Sequence, residues 1–475
     1  MKHIVLFVFF IGCVSTHGQS IQVSNNDNSY DSKGHIVDVH DGRVIEFNDT
    51  FYWYGTTYGT TNGFTSKNHY SVYSSNDLKT WKHEGRLLPN QPTGVYYRPH
   101  VIYNKKNDNY VLWYNWYPKL WEGRFGVAVS KSPTGPFDII NDDVKMVNSD
   151  IGLGDFGLFV DDDLQAYISY NTIKDHQVSI EMLNDDYTGS TMLNGGVIAK
   201  HMEAGSQFKR NGKYYLLTDY TCCFCNEGSG ARVYVSGDPL SGYQFTGNIN
   251  RYPGKFSSVL NDGVKTGTVY QTVQKQDSVF QAIELNFTDE SRPTSMEIAL
   301  FTGNRPANCG DVDNPRVHPE FILPEFEFSF WDYDHWENIT VQKSKVEKSA
   351  ISVRLTYVFP DIQATRIRIK PNLNYPFDAV YMNEIEIANI SFRAYLTGPG
   401  IPQRPIIPAQ QTYVMALESQ NGTDYIWMGD LWGSASDGVK GHDYQYWSAP
   451  LEFNSDGTIQ PLQWTDAWEV ELKDE

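Results

Sequence analysis

Thr50-Phe51-Tyr52-Trp53-Tyr54-Gly55 is a short run of alternating aromatic and apolar side chains that follows a polar turn. The pattern returns as Asn109-Tyr110-Val111-Leu112-Trp113-Tyr114, Gln165-Ala166-Tyr167-Ile168-Ser169-Tyr170, Gly212-Lys213-Tyr214-Tyr215-Leu216-Leu217 and Asp424-Tyr425-Ile426-Trp427-Met428-Gly429. Several copies precede a second alternating run and a turn, as in Phe125-Gly126-Val127-Ala128-Val129-Ser130 before Ser132-Pro133. Almost no segment sustains a helical period, whereas period-2 runs bounded by Gly, Asn, Asp and Pro recur throughout, so the chain reads as all-β. Strand groups repeating at about 45–60 residues read as blades of a β-propeller. The anchors Tyr52, Tyr110, Tyr167 and Tyr215 lie 58, 57 and 48 residues apart, but Tyr425 follows only after 210. That gap is too long for a loop inside a compact domain, so a folded domain is expected within it. The count gives five blades, four before the insert and one after.

The inserted stretch, 255–400, has its own β character. Thr365-Arg366-Ile367-Arg368-Ile369-Lys370 alternates cleanly, and Asp378–Ile387 resembles the closing strand of galactose-binding-like jelly-roll sandwiches. The Pro-rich stretch Gly398–Pro408 reads as the linker back. The expected order is therefore a signal peptide over 1–18, blades one to four over 19–254, a β-sandwich over 255–400, and the linker with the last blade over 401–475.

Residues 1–18 carry a basic start at Lys2 and His3, an apolar run from Ile4 to Val14, and then small residues. The run is too short to span a bilayer and suits a cleaved secretion signal. An extracellular protein is expected. Secretion makes five Asn-x-Ser/Thr sequons readable as glycosylation sites, starting at Asn48, Asn286, Asn338, Asn389 and Asn421. It also favours disulfides among Cys222, Cys223, Cys225 and Cys309. A bond from Cys309 to the cluster is expected, and a local bond within the cluster stays open.

The net charge of −19 argues against nucleic acid and against anionic membranes as partners. A neutral, hydroxyl-rich ligand such as a polysaccharide fits better, and a monomer is expected. No G-x-S-x-G elbow, P-loop, HExxH or dinucleotide fingerprint occurs, which leaves serine hydrolysis, phosphoryl transfer and hydride transfer without support.

The order of several phrases is similar to glycoside hydrolase family 43, a five-bladed propeller, over most of 30–250 and 405–468. They are Val95-Tyr96-Tyr97-Arg98-Pro99-His100, Leu158-Phe159-Val160-Asp161-Asp162-Asp163, Phe208–Tyr215 and Gly429-Asp430-Leu431-Trp432-Gly433. Within the family the chain looks nearest to the exo-β-1,3-galactanase-like members. The resemblance implies an inverting glycosidase, in which one carboxylic acid protonates the leaving oxygen and a carboxylate activates water from the opposite face. Matched position by position, Asp41 is the general base, with Asp38 as fallback, Asp155 tunes the acid, and Glu203 is the general acid. Gln410, with Gln411 as the alternative register, matches a glutamine of the sugar pocket.

Three departures bear on specificity. The galactanase-like members often have glycine where Asp41 stands, glutamate where Tyr97 stands, and the family usually has proline where Gly205 stands. Tyr97 and Arg98 are expected to meet substrate, Arg98 being open between a sugar hydroxyl and an acid. Tyr114, Trp116, Trp121 and Trp432 are candidates for a stacking platform under a sugar ring. The acidic run Asp161-Asp162-Asp163 reads as a hairpin turn. No cofactor or metal is assigned, and a calcium on the propeller axis, near His442-Asp443, is left uncommitted. The function expected is secreted hydrolysis of a galactan-type polysaccharide. The alternatives are an arabinofuranosidase or β-xylosidase of the same family, or a non-catalytic glycan-binding propeller.

Overall fold

A computed structural model of the chain describes residues 20–225, 230–251, 254–267, 269–302, 322–332, 335–349, 351–401 and 405–473. The expected signal segment and Cys309 lie outside these residues. Among the described residues the only helices are three single 3₁₀ turns, at Ser149–Ile151, Ser258–Asn261 and Lys440–His442. None is long and apolar enough to cross a membrane.

The repeated aromatic runs are the second strands of five small antiparallel sheets, each ordered as in the sequence. The first strands of the five sheets are His40–Phe47, Val95–Asn104, Leu153–Val160, Met202–Arg210 and Gln410–Ser419. Each packs against the first strand of the next sheet, and the last packs against His40–Phe47, so the circuit closes. Five apolar clusters fill the five joints. One joins Val44, Phe51 and Trp53 of the first sheet to Met415, Ile426 and Trp447 of the last. The next sets Tyr54, Tyr70 and Val72 against Tyr96, Leu112 and Tyr114. The third to fifth joints follow the same plan. The aromatics of the repeat are thus mostly mortar between sheets. The last sheet has three strands, and Ser20–Ser24 pairs separately with Ala467–Glu471.

Residues 255–397 build two six-stranded sheets around one common core. In Ala364–Pro371 burial alternates, with Ile367 and Ile369 inside and Arg366 and Arg368 outside. Each buried isoleucine contributes roughly 1.5–3 kcal/mol. Ala379–Ile387 is an inner strand, held between Gln271–Gln276 and Ser295–Phe301. The chain leaves the ring and returns to it at adjacent points, since Arg251 bridges to Pro405 and Ile406 N–H donates to Asn250.

Candidate active site

Every first strand carries a register shift near its start. The shifts fall between His40 and Arg43, Tyr97 and His100, Leu153 and Phe156, Glu203 and Ser206, and Gln411 and Tyr413. Such a bulge re-aims a side chain that regular pleating would send elsewhere. Asp41, Arg98 and Asp155 lie inside these shifts, Glu203 lies at the edge of one, and Gln410 stands one residue before another. Asp41 and Arg98 take positive φ, 53° and 47°, a conformation that costs a non-glycine residue about 1–3 kcal/mol. Glycine at 205 is a steric requirement of the same bulge, because a Cβ there would sit 1.6 Å from the Leu217 carbonyl.

The bulges are latched by a second set of residues. Asp430 accepts the Asp41 N–H at 2.7 Å, Asp219 accepts the Gln411 N–H at 2.8 Å, and Asn115 donates to the Leu153 carbonyl at 3.2 Å. Each reaches from the second strand of one sheet to the bulge of the next. The sequence reading missed all three. A signal existed, because each stands five residues after a tyrosine of the repeat, at Tyr425, Tyr214 and Tyr110.

One pocket of about 60 Å³ gathers Asp41, Asp155, Glu203, Tyr97, Arg98 and Gln410. All three proposed acids therefore share one cavity. Asp41 is buried and accepts from the Tyr58 hydroxyl. Burial pushes its pKa up to about 6; the Arg98 charge opposes the rise and Asp430 adds to it. Glu203 is buried and raised well above the ordinary range, first by desolvation and then by the Asp155 charge. Asp155 is held by the Arg98 Nε at 3.0 Å. Arg98 thus pairs with an acid, and its Nη1 also donates to the Gln411 carbonyl at 3.2 Å. Gln410 Nε2 donates to Glu203 at 3.0 Å, while its Oε1 accepts from Trp432 Nε1 at 2.7 Å. Gln411 bonds Leu217 and Trp427 instead, so Gln410 is the residue that faces the acid.

Asp38 caps the turn at Tyr58 and Gly59 through both oxygens and does not line the pocket. Its neighbour His40 bridges Asp38 and Asp430. Burial would depress that imidazole, but the Asp430 bond and the surrounding carboxylates push it up to about 9. The Tyr97 hydroxyl donates to the Gly63 carbonyl at 3.0 Å, making its ring a pocket wall.

The stacking candidates divide. Tyr114 and Trp116 belong to the buried cluster between the first two sheets, and neither lines the pocket. They correct the sequence expectation, because this strand is buried along almost its whole length and these rings pack into the joint between the sheets. Trp121 lines the pocket and is 54 % exposed. Trp432 is buried, orients Gln410 and lines the neighbouring vestibule. Phe224 lines the pocket too, held edge-on to Tyr58, Phe64 and Trp432. Its loop is closed by a disulfide between Cys222 and Cys225, the local bond that the sequence left open, with Cys223 as a thiol on the pocket wall. The Asp161 turn is structural, with Lys209 at 2.7 Å and the Tyr214 hydroxyl at 2.6 Å on its carboxylate. Among the described residues no group of His, Cys, Asp and Glu could hold a metal ion.

The model of "Glycosyl hydrolases family 43" matches residues 36–254. That part of the chain is a family 43 glycosidase domain. The match spans the first four sheets, and the last sheet joins them in space. An exo-β-1,3-galactanase from Clostridium thermocellum is 18 % identical, with 95 % of this chain and 67 % of that one aligned at a TM-score of 0.53. A family 43 β-1,3-galactosidase with galactodeoxynojirimycin is 17 % identical, with 94 % and 99 % aligned at a TM-score of 0.54. At this identity both show a shared fold. No protein of curated function matches the chain.

Proposed function

We propose that the five sheets are the blades of a β-propeller carrying an inserted galactose-binding-like sandwich. We further propose that the protein is a secreted, exo-acting glycosidase that cleaves a galactan-type polysaccharide with inversion. The observation that carries this reading is the convergence of Asp41, Asp155 and Glu203, with unlike surroundings, in one pocket. The galactan choice is supported by the family match and by two relatives named for β-1,3-linked galactose.

In this mechanism Glu203, kept protonated by burial and by the Asp155 charge, gives its proton to the leaving glycosidic oxygen. Asp41, on the first sheet, takes the proton of a water that attacks the anomeric carbon from the other face. Arg98 fixes Asp155, and the Trp432–Gln410 pair fixes the Glu203 carboxyl. The exposed Trp121 and the half-buried Phe224 offer aromatic surface for the sugar face. The small pocket suits removal of one terminal sugar at a time.

The test is hydrolysis of β-1,3-galactan, arabinan and xylan by the purified protein, with product identification and NMR of the first-formed anomer. Monosaccharide galactose of inverted configuration is expected. A retained anomer overturns the mechanism, release of arabinose or xylose alone replaces the substrate, and binding without turnover of any polymer replaces the enzyme reading with a lectin.

A further inference from the structure

A second cavity lies where the ring meets the six-stranded sheets. It has a volume of about 260 Å³ and shares no residue with the catalytic pocket. Its walls come from the fourth sheet, from the sheet that contains Trp331 and Arg366, and from the loop Asn454–Pro461. Its charge runs against that of the whole protein. Four guanidiniums, of Arg232, Arg251, Arg366 and Arg368, face one carboxylate, Glu284, in a chain with net charge −19.

The arginines are not equivalent. Arg368 is neutralised by Glu284, with bonds of 3.0 and 2.7 Å, and its guanidinium lies 3.9 Å from the Trp336 ring. Glu284 is itself buried, its side chain only 6 % exposed. Arg366 lies 3.8 Å from the Trp331 ring, and no hydrogen-bond acceptor meets it among the described residues. Burial lowers its pKa to about 10. Arg232 stacks on Phe245 at 4.2 Å. Two further polar atoms of the cleft, Trp331 Nε1 and Asn286 Oδ1, are buried without a partner. Asn286 is only 9 % exposed, which sets it apart from the four other sequon asparagines, all exposed, and argues against a glycan at that position. Polar atoms held out of water without partners are costly unless a ligand satisfies them, and the half-exposed Arg366 stands beside them.

We propose that this cleft binds an acidic saccharide, a sugar ring bearing a carboxylate or a sulfate ester, with Arg366 and Arg232 pairing the anionic group beside the Trp331 ring. Guanidinium forks match both anions, and the aromatic rings offer apolar surface to the sugar body. An anionic polysaccharide is repelled by the acidic protein as a whole, so a cationic cleft gives it one place to dock. The choice of a sugar, though not of an anion, rests on the glycosidase reading above.

Calorimetry on the full chain with digalacturonic acid, galactose 6-sulfate and neutral galactobiose tests the proposal. At least one acidic probe should bind, more weakly as salt rises, and which one binds separates carboxylate from sulfate recognition. Arg366→Gln should weaken that binding by about tenfold or more, as loss of a charge-assisted bond implies, and leave hydrolysis of a neutral galactan unchanged. Arg232→Gln, on the opposite wall, is the second variant if the first does not fold. Binding that survives both substitutions, equal binding of galactobiose through the cleft, or no binding of either acidic probe overturns it. Because the readout is binding, an inactive wild type would sink the glycosidase reading and leave this result standing.

Discussion

The catalytic pocket and the interdomain cleft are built from the same materials in opposite proportion. The pocket sets three carboxylates around Arg98, and the cleft sets four arginines around Glu284. In the pocket Arg98 pairs with Asp155, and Asp41 and Glu203 are buried beside them, so burial and the neighbouring charges together move Asp41 and Glu203 up. In the cleft Arg366 and Arg232 lean on the Trp331 and Phe245 rings with no carboxylate bonded to either among the described residues, an arrangement suited to holding an anionic ligand. Buried acids beside one fixed ion pair suit acid–base chemistry, and half-exposed arginines without a bonded carboxylate suit recognition.

The largest effect that could break this contrast is on rate. Glu203→Gln removes the proton donor proposed for the leaving oxygen and should lower kcat on galactan by about 10²–10⁴-fold. Asp41→Asn should do the same for the water. Steady-state assays that find either variant within a few-fold of wild type would remove its role. A difference in stability should follow. Arg98→Ala leaves Asp155 and its neighbours without their buried cation, which costs about 3–5 kcal/mol. Arg366→Gln, in the half-exposed cleft, should change stability by under about 1 kcal/mol. Urea unfolding of the two variants measures the gap, and equal losses would erase the distinction between the sites.

The ring was legible because Tyr52, Tyr110, Tyr167, Tyr215 and Tyr425 repeat a period-2 pattern that only packed sheets use. That Asp41, Asp155 and Glu203 share one pocket was legible because the resemblance picked out three residues near the starts of first strands, each before its aromatic partner run. The aromatics of that run were misread for the same reason. Tyr114 and Trp116 look like sugar platforms, but which face of a strand meets the next sheet is decided by the joint, a long-range contact. Asp430 and Asp219 were missed because their value lies in reaching a bulge that is more than 190 residues away for Asp219 and nearly 390 for Asp430. The cleft was equally hidden, since Arg232 and Arg366 come together only when the inserted sheets dock on the fourth.

A smaller effect tests whether the pocket acts through its field. Glu203 is raised first by burial and second by Asp155. Asp155→Asn keeps the shape and removes the charge, so Glu203 should titrate at lower pH. The acid is active when protonated, so the alkaline limb of the kcat/KM profile should move to lower pH. The acidic limb, where Asp41 must lose its proton near 6, should move little, since Asp155 is the last of the causes acting on it. Movement of the acidic limb alone would mean the two roles are exchanged.

The smallest effect concerns Trp432, one of the four candidate sugar platforms, which proved buried. Its indole N–H meets Gln410, and Gln410 meets Glu203. Trp432→Phe keeps most of the ring packing against His40 and Tyr58 and deletes one neutral hydrogen bond, about 0.5–1.5 kcal/mol. That predicts a loss of roughly two- to tenfold, and it should fall on kcat, because the bond orients the acid and does not touch the sugar. A platform would behave otherwise, with the loss in KM and in affinity for galactose. Trp121→Ala supplies that contrast, since Trp121 is exposed on the pocket rim and should raise KM with kcat nearly kept. If Trp432→Phe raises KM and Trp121→Ala lowers kcat, the two tryptophans have been assigned the wrong way round.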